Sequence, residues 1–213
     1  MEDAGRLAQQ QLSSLDRLKK LESLRGSYLA GGTAVAYHLR HRVSRDLDIF
    51  GTPGLTDLEQ ARSEIAGAFD HVEVIAITDV AMHLKVMGSD IDIVVYPYPP
   101  LENPSPGPAG FPVAGLLDLA VMKLASIARR GMKRDFWDLY EILDKSAITL
   151  KSALDGYLRR FGKLESDLYH VIRSLTYFDD AEKETITPVG LSPELWGIIK
   201  TFFLRAAPEI LRQ

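Results

Sequence analysis

Apolar residues near the start of the chain recur at helical spacing. Leu7, Leu12, Leu15, Leu18, Leu21 and Leu24 fall on roughly one stripe, which predicts an amphipathic helix over residues 4–25. Tyr28, Leu29 and Ala30 lead into Gly31-Gly32-Thr33, and a second helical stretch runs from Ala34 to Arg40. Residues 42–51, RVSRDLDIFG, read as a strand stopped by glycine. Thr56 with Glu59 three residues on makes a capping box for a helix to about Phe69. Strand-like runs follow at 71–80, 82–88 and 89–96, with Gly88-Ser89 as the hairpin turn between the last two. Residues 97–112 are rich in Pro and Gly and read as a loop between two halves. From Val113 onward the pattern is helical: 116–131, then 133–145, then two or three further helices.

Strands thus gather in the first half and helices in the second. The expected class is α+β: a small mixed sheet with flanking helices, plus a helical C-terminal part. Three segments are expected: an N-terminal helix (1–26), a sheet domain (27–112) and a helical region (113–213) that completes an active-site cleft.

Composition narrows the classes. With 46% hydrophobic and 25% charged residues among 213, the chain is neither largely disordered nor fibrous. It has no apolar run of membrane-spanning length, and its first twenty residues are too polar for a secretory signal, so a cytoplasmic protein without a membrane partner is expected. Zero cysteines exclude disulfides, thiolate metal sites and a cysteine nucleophile. A net charge of −4 means that nucleic acid would have to be held by local basic groups. Two such groups stand out: Arg40, Arg42 and Arg45 with His38 and His41, and Arg129, Arg130, Lys133 and Arg134. The five histidines lack zinc-ligand spacing. Trp137, Tyr140 and Trp196, at helical positions, are read as core or interface.

The chemistry lies in the carboxylates. Asp46 and Asp48, two apart in a strand pattern, point to one face, and Leu47 and Ile49 to the other. Asp90 and Asp92 repeat the arrangement between Ile91 and Ile93. Like charges side by side need solvent, a proton or a cation. If the two strands are neighbours, their all-oxygen donors suit Mg²⁺ or Mn²⁺. The plain alternative is a solvated face on each strand, although Asp is poorly suited to strands. Gly31-Gly32-Thr33 before a helix lets backbone approach an anion. There is no G-K-[ST] and no G-x-G-x-x-G, which argues against a P-loop and a Rossmann fingerprint.

Gly-Gly-Thr, a short helix and then D-x-D on a strand resembles the signature of the polymerase-beta-type nucleotidyltransferase superfamily. The fuller resemblance is to the AbiEii/AbiGii-type toxin nucleotidyltransferases. It rests on GGTAVAYHLRHRVSRDLDIF, with Arg42-x-Ser44-x-Asp46-Leu47-Asp48, on HLKVMGSDIDIVVYPYPP, on VAGLLDLAVMKLASIARRG and on KRDFWDLY, in that order over about residues 27–143. The resemblance implies a polymerase-beta-like nucleotidyltransferase fold. It also implies transfer of a nucleoside monophosphate from a nucleoside triphosphate to a hydroxyl, in some members the 3′ end of tRNA. Asp46, Asp48 and Asp92 would hold Mg²⁺ or Mn²⁺; Asp90 and Asp92 share a face, so which of them ligates stays open. Gly31, Gly32 and Thr33 would hold the triphosphate, with Arg42, Ser44 and Arg130 as further substrate-binding residues. Lys123, between Leu119 and Ile127 on one helix face, would by itself be read as a snorkelling lysine, but the resemblance implies a catalytic residue that reaches a triphosphate oxygen. Asp135 would orient Lys123 or the acceptor, and Asp138 would cap or pair with Arg134; the alternative is a surface ion-pair cluster of Arg134, Asp135 and Asp138. The leading expectation is a metal-dependent enzyme acting on RNA, the toxin of a toxin–antitoxin or phage-defence pair with a cognate antitoxin. Transfer to a small molecule, as in antibiotic-modifying nucleotidyltransferases, and a catalytically silent binding protein of the same fold are the alternatives.

Overall fold

The computed structural model describes residues 7–54, 56–162 and 165–212. Residues 4–6 of the helix expected over 4–25 lie outside the described residues. The chain divides into two compact units, Met1–Gly115 and Leu116–Gln213.

In the first unit, α1 spans Gln9–Leu18 and buries Leu15 and Leu18 completely. It stops sooner than its leucine stripe predicts. Lys19 caps it, and Leu21 is extended at φ −81° before a single 3₁₀ turn at Glu22–Leu24. The polar Lys19-Lys20 pair turns away to bind Asp16 instead of continuing the stripe. Then come β1 (Tyr28–Ala30), α2 (Gly31–Leu39) and β2 (Leu47–Gly51). The last begins later than the strand read over 42–51. Next are α3 (Leu58–Ala68), β3 (Val72–Ile77), β4 (Ala81–Val86) and β5 (Ser89–Val95). Two-residue strands β6 (Ser105–Pro106) and β7 (Pro112–Val113) lie in the stretch read as loop.

The predicted Thr56 capping box is replaced by Asp57, whose carboxylate accepts from the backbone N–H of Gln60. Thr56 instead turns its hydroxyl inward toward Ser27. The β4–β5 turn is Met87-Gly88, one residue earlier than expected, with both residues at positive φ. The sheet order is β3-β4-β5-β2-β1-β7-β6. It is mixed, because β2 pairs with β5 and β1 with β7 in parallel while the other neighbours are antiparallel. β2 reaches its parallel partner through α3 and the antiparallel strands β3 and β4, the long connection that parallel pairing demands.

The second unit is helical: α4 (Leu116–Arg129), α5 (Lys133–Lys145), α6 (Leu150–Phe161), α7 (Glu165–Ser174), α8 (Asp179–Glu182) and α9 (Pro193–Ile210). Phe136 sits at its centre, with the rings of Phe178, Phe203 and Trp196 within 5.9 Å of it, centroid to centroid. Trp137 and Trp196 are buried core residues, as their helical positions suggest. Arg160 and Asp118, both fully buried, form an ion pair that ties α6 to α4. No described helix is long and apolar enough to cross a membrane.

Candidate active site

The carboxylates are placed by strand register. Asp48 on β2 is the direct partner of Asp92 on β5, and His83 on β4 is the partner of Asp92 on its other side. Ala30 on β1 lies opposite Asp48. Ala30, Asp48, Asp92 and His83 therefore form one row across four strands and share one face of the pleat. Their neighbours Leu47, Ile49, Ile91, Ile93, Met82 and Leu84 take the other face and are almost entirely buried. This one-sided burial pins the register: a one-residue slip would put carboxylates into the core. Asp90 stands one step along, opposite Lys85, so it is Asp92 that is level with Asp48. Asp46 is exposed and immediately precedes β2.

The Gly-Gly turn closes onto this row. Gly31 begins α2 at φ +62°, and a Cβ there would stand 1.8 Å from Oδ2 of Asp48. Only glycine lets that carboxylate lie against the backbone at the helix start, where the helix dipole favours negative charge. A Cβ on Gly32 would stand 2.3 Å from Nη2 of Arg42 and 3.4 Å from Oγ of Ser44. Arg42 is buried, so its guanidinium is a fixed charge beside the turn.

The segment carrying Ser44 and Asp46 is held by backbone contacts. Thr33 is buried and its hydroxyl donates to the Asp46 carbonyl, so Thr33 shapes this segment. Gln11 of α1, which sequence reading passed over, donates from Nε2 to the carbonyls of Ser44 (3.3 Å) and Arg45 (3.0 Å). The structure thus brings together Gly31, Gly32, Thr33, Arg42, Ser44, Asp46, Asp48 and Asp92 in the first unit. His83 was also missed. Its Nδ1 lies 2.6 Å from Oδ1 of Asp92, and its Nε2 lies 3.8 Å from Oδ1 of Asp90.

The remaining candidates form a group of their own in the helical unit. Nζ of Lys123 on α4 lies 2.9 Å from Oδ1 of Asp135 and 2.7 Å from Oδ2 of Asp138, both on α5. Arg130, whose side chain is 48% exposed, adds a contact of 3.1 Å from Nε to Oδ2 of Asp135. Neither the snorkelling lysine nor the surface ion-pair cluster describes this group: Lys123 is 5% exposed, and Asp135 and Asp138 are fully buried. Asp138 pairs with Lys123, not with Arg134, because the two aspartates, three apart, share the α5 face that packs on α4. Burial pushes the Asp135 carboxyl up, but the charges of Lys123 and Arg130 outweigh it and hold the group below the usual carboxylate range.

Among the described residues no cluster of three or more acidic or histidine side chains stands ready to hold a metal ion. Mg²⁺ does not require one; it is commonly held by one or two carboxylates, with waters and substrate phosphates filling the rest. The Asp48–Asp92 pair fits it in donor chemistry: two oxygen-donor side chains level on a half-exposed face.

Residues 14–82 and 85–209 match the family described as nucleotidyl transferase AbiEii toxin, type IV TA system; only His83 and Leu84 interrupt the match. An uncharacterized protein of Aquifex aeolicus (strain VF5) is 29% identical over 207 residues, covering 97% of this chain and 98% of its own. The fold is similar to that of MenT4, a nucleotidyltransferase toxin from Mycobacterium tuberculosis H37Rv, at a TM-score of 0.58 and 16% identity over 93% of this chain and 82% of that one. It is also similar to the antibiotic-resistance factor ANT(2'')-Ia, at a TM-score of 0.54 and 10% identity over 75% of this chain and 95% of that one. The mixed sheet with flanking helices is a nucleotidyltransferase fold, and the chain belongs to the AbiEii nucleotidyltransferase toxin family.

Proposed function

We propose that this toxin nucleotidyltransferase moves a nucleoside monophosphate from a nucleoside triphosphate to a 3′ hydroxyl of RNA. It does so with Mg²⁺ or Mn²⁺, in the cytoplasm, under the control of a cognate antitoxin. The observation that carries the reading is the level pairing of Asp48 with Asp92 beside the Gly31-Gly32 turn.

Asp48 and Asp92 hold the cation, with Asp46 the next oxygen donor along the chain. When bound, the cation neutralises triphosphate charge and acidifies the attacking hydroxyl. The Gly31-Gly32 backbone admits the phosphates at the start of α2. Arg42, fixed beside Gly32, supplies positive charge there, and Ser44 a hydroxyl. Arg40 and Arg45, both exposed on the segment leading to Asp46, give a phosphate backbone its footing. In the helical unit, Arg130 is the candidate with an exposed side chain, and Asp135 orients its guanidinium for an anionic substrate.

Incubation with each labelled nucleoside triphosphate, Mg²⁺ and total RNA tests the reading, tRNA being the first purified acceptor to follow. Label on RNA 3′ ends that disappears with chelator supports it. Label on an added aminoglycoside but not on RNA selects small-molecule transfer. No transfer to either class, with nucleotide still bound, selects a silent binding protein.

A further inference from the structure

Asp92 is flanked in its row by Asp48 on one side and His83 on the other. An ionised carboxylate only accepts hydrogen bonds, so the 2.6 Å contact between Nδ1 of His83 and Oδ1 of Asp92 requires the proton on Nδ1. That bond occupies one oxygen of Asp92 and fixes the carboxylate's rotation, which leaves Oδ2 for a cation. The imidazole is held in turn by the pleat, which aims it along the row with its buried neighbours Met82 and Leu84 on the opposite face. Its second nitrogen faces Asp90, so the ring lies between the two carboxylates of β5.

We propose that His83 is a positioning residue for the divalent cation: it orients Asp92 so that Asp92 and Asp48 bind the ion together. The proposal rests on the metal-dependent reading above. Hydrogen-bond partners of ligating carboxylates typically change metal affinity by about 10–100-fold when removed.

The test is Mn²⁺ binding to the nucleotide-free full-length protein, read by electron paramagnetic resonance, with no turnover involved. His83→Ala is expected to weaken Mn²⁺ binding about 10–100-fold. His83→Asn places its amide nitrogen near the position of Nδ1 and is expected to recover most of the affinity. His83→Gln places its nitrogen nearer Nε2 and is expected to stay weak. The Asn–Gln difference is one that a merely structural role would not produce, and it decides the matter even if His83→Ala fails to fold. Wild-type affinity in His83→Ala, or equal affinity in the Asn and Gln variants, overturns the proposal. Asp48→Ala separates the two levels. If it abolishes Mn²⁺ binding while His83→Ala binds Mn²⁺ like wild type, only the role of His83 falls. If Asp48→Ala binds Mn²⁺ like wild type, the metal reading falls and takes the proposal with it.

Discussion

Oδ2 of Asp48 occupies the space where a side chain on Gly31 would begin, 1.8 Å from the position of an added Cβ. Carboxylate and glycine therefore specify each other. Gly31→Ala is expected to cost about 1–2 kcal/mol for the left-handed backbone alone. It must also drive Asp48 out of its row. Turnover is expected to fall by more than about 100-fold, since an ångström of misplacement in a catalytic constellation already costs that much. Denaturant melts and turnover assays together check this; wild-type activity in Gly31→Ala would remove the glycine from the site.

Asp48→Ala separates catalysis from folding. Two level carboxylates on one face repel, so deleting one relieves repulsion and leaves the buried face of β2 unchanged. Transfer is expected to vanish while the thermal midpoint holds or rises, as often happens when a functional site gives up its strain. A large drop in midpoint would mean that Asp48 serves the fold instead.

The D-x-D pairs and the Gly-Gly turn were legible in the sequence because strand alternation alone puts Asp48 and Asp92 on faces opposite to Ile49 and Ile93. What stayed hidden was the row. The β4–β5 turn lies at Met87-Gly88, with a methionine at φ 51° where asparagine or glycine would normally signal the turn. Reading the turn one residue later sets Lys85 opposite Asp92; the true register sets His83 there. β1, β6 and β7 are two or three residues long and too short for periodicity, so only their sheet partners define them. The stem of Lys123 looked like a snorkelling lysine because its counter-charges come from the next helix.

That pairing changes what Lys123→Met should do. The substitution keeps the apolar stem but leaves Asp135 and Asp138 buried without their shared cation. Breaking a buried pair in this way typically costs about 3–5 kcal/mol. A large loss of stability in denaturant titration is therefore expected, most of it recovered when Asp135→Asn and Asp138→Asn are added. Where Lys123→Met still folds, unchanged nucleotide affinity and turnover would confine Lys123 to a structural role. Unchanged stability would contradict the ion-pair geometry itself.

Asp135 also predicts an acid limb. Its carboxyl is held below the usual range in the folded state, its burial being outweighed by the charges of Lys123 and Arg130. The folded protein thus binds this proton more weakly than the unfolded chain does, and stability rises with pH there. The contribution is complete above the unfolded value of about 4 and is lost as pH falls through the lower folded value. Asp135→Asn should be less stable at neutral pH yet show a flatter decline below about pH 4. Asp16, lowered to about 2 by hydrogen bonds from Lys19 and Lys20, titrates in the same window. Its side chain is 47% exposed, so repeating the series at high salt screens its share and leaves that of Asp135. Parallel acid limbs in wild type and Asp135→Asn would show that the ion pair does not set the pH dependence.

Gln11 offers a test of how the segment leading to Asp46 is held. Its amide nitrogen donates to the carbonyls of Ser44 and Arg45, just before Asp46, and the side chain is 3% exposed. Gln11→Leu fills much the same volume but removes both donors, leaving two carbonyls without this partner. The expected cost is about 1–3 kcal/mol. The more telling effect is on the segment itself. Amide hydrogen exchange over residues 43–46 should rise, and turnover should fall, while strands β2 and β5 keep their protection. Gln11→Glu replaces the donor amide by a carboxylate that repels the same carbonyls, so it should be worse than Gln11→Leu. If both variants keep wild-type exchange and turnover, Asp46 is placed by Thr33 and β2 alone, and α1 contributes only its leucines.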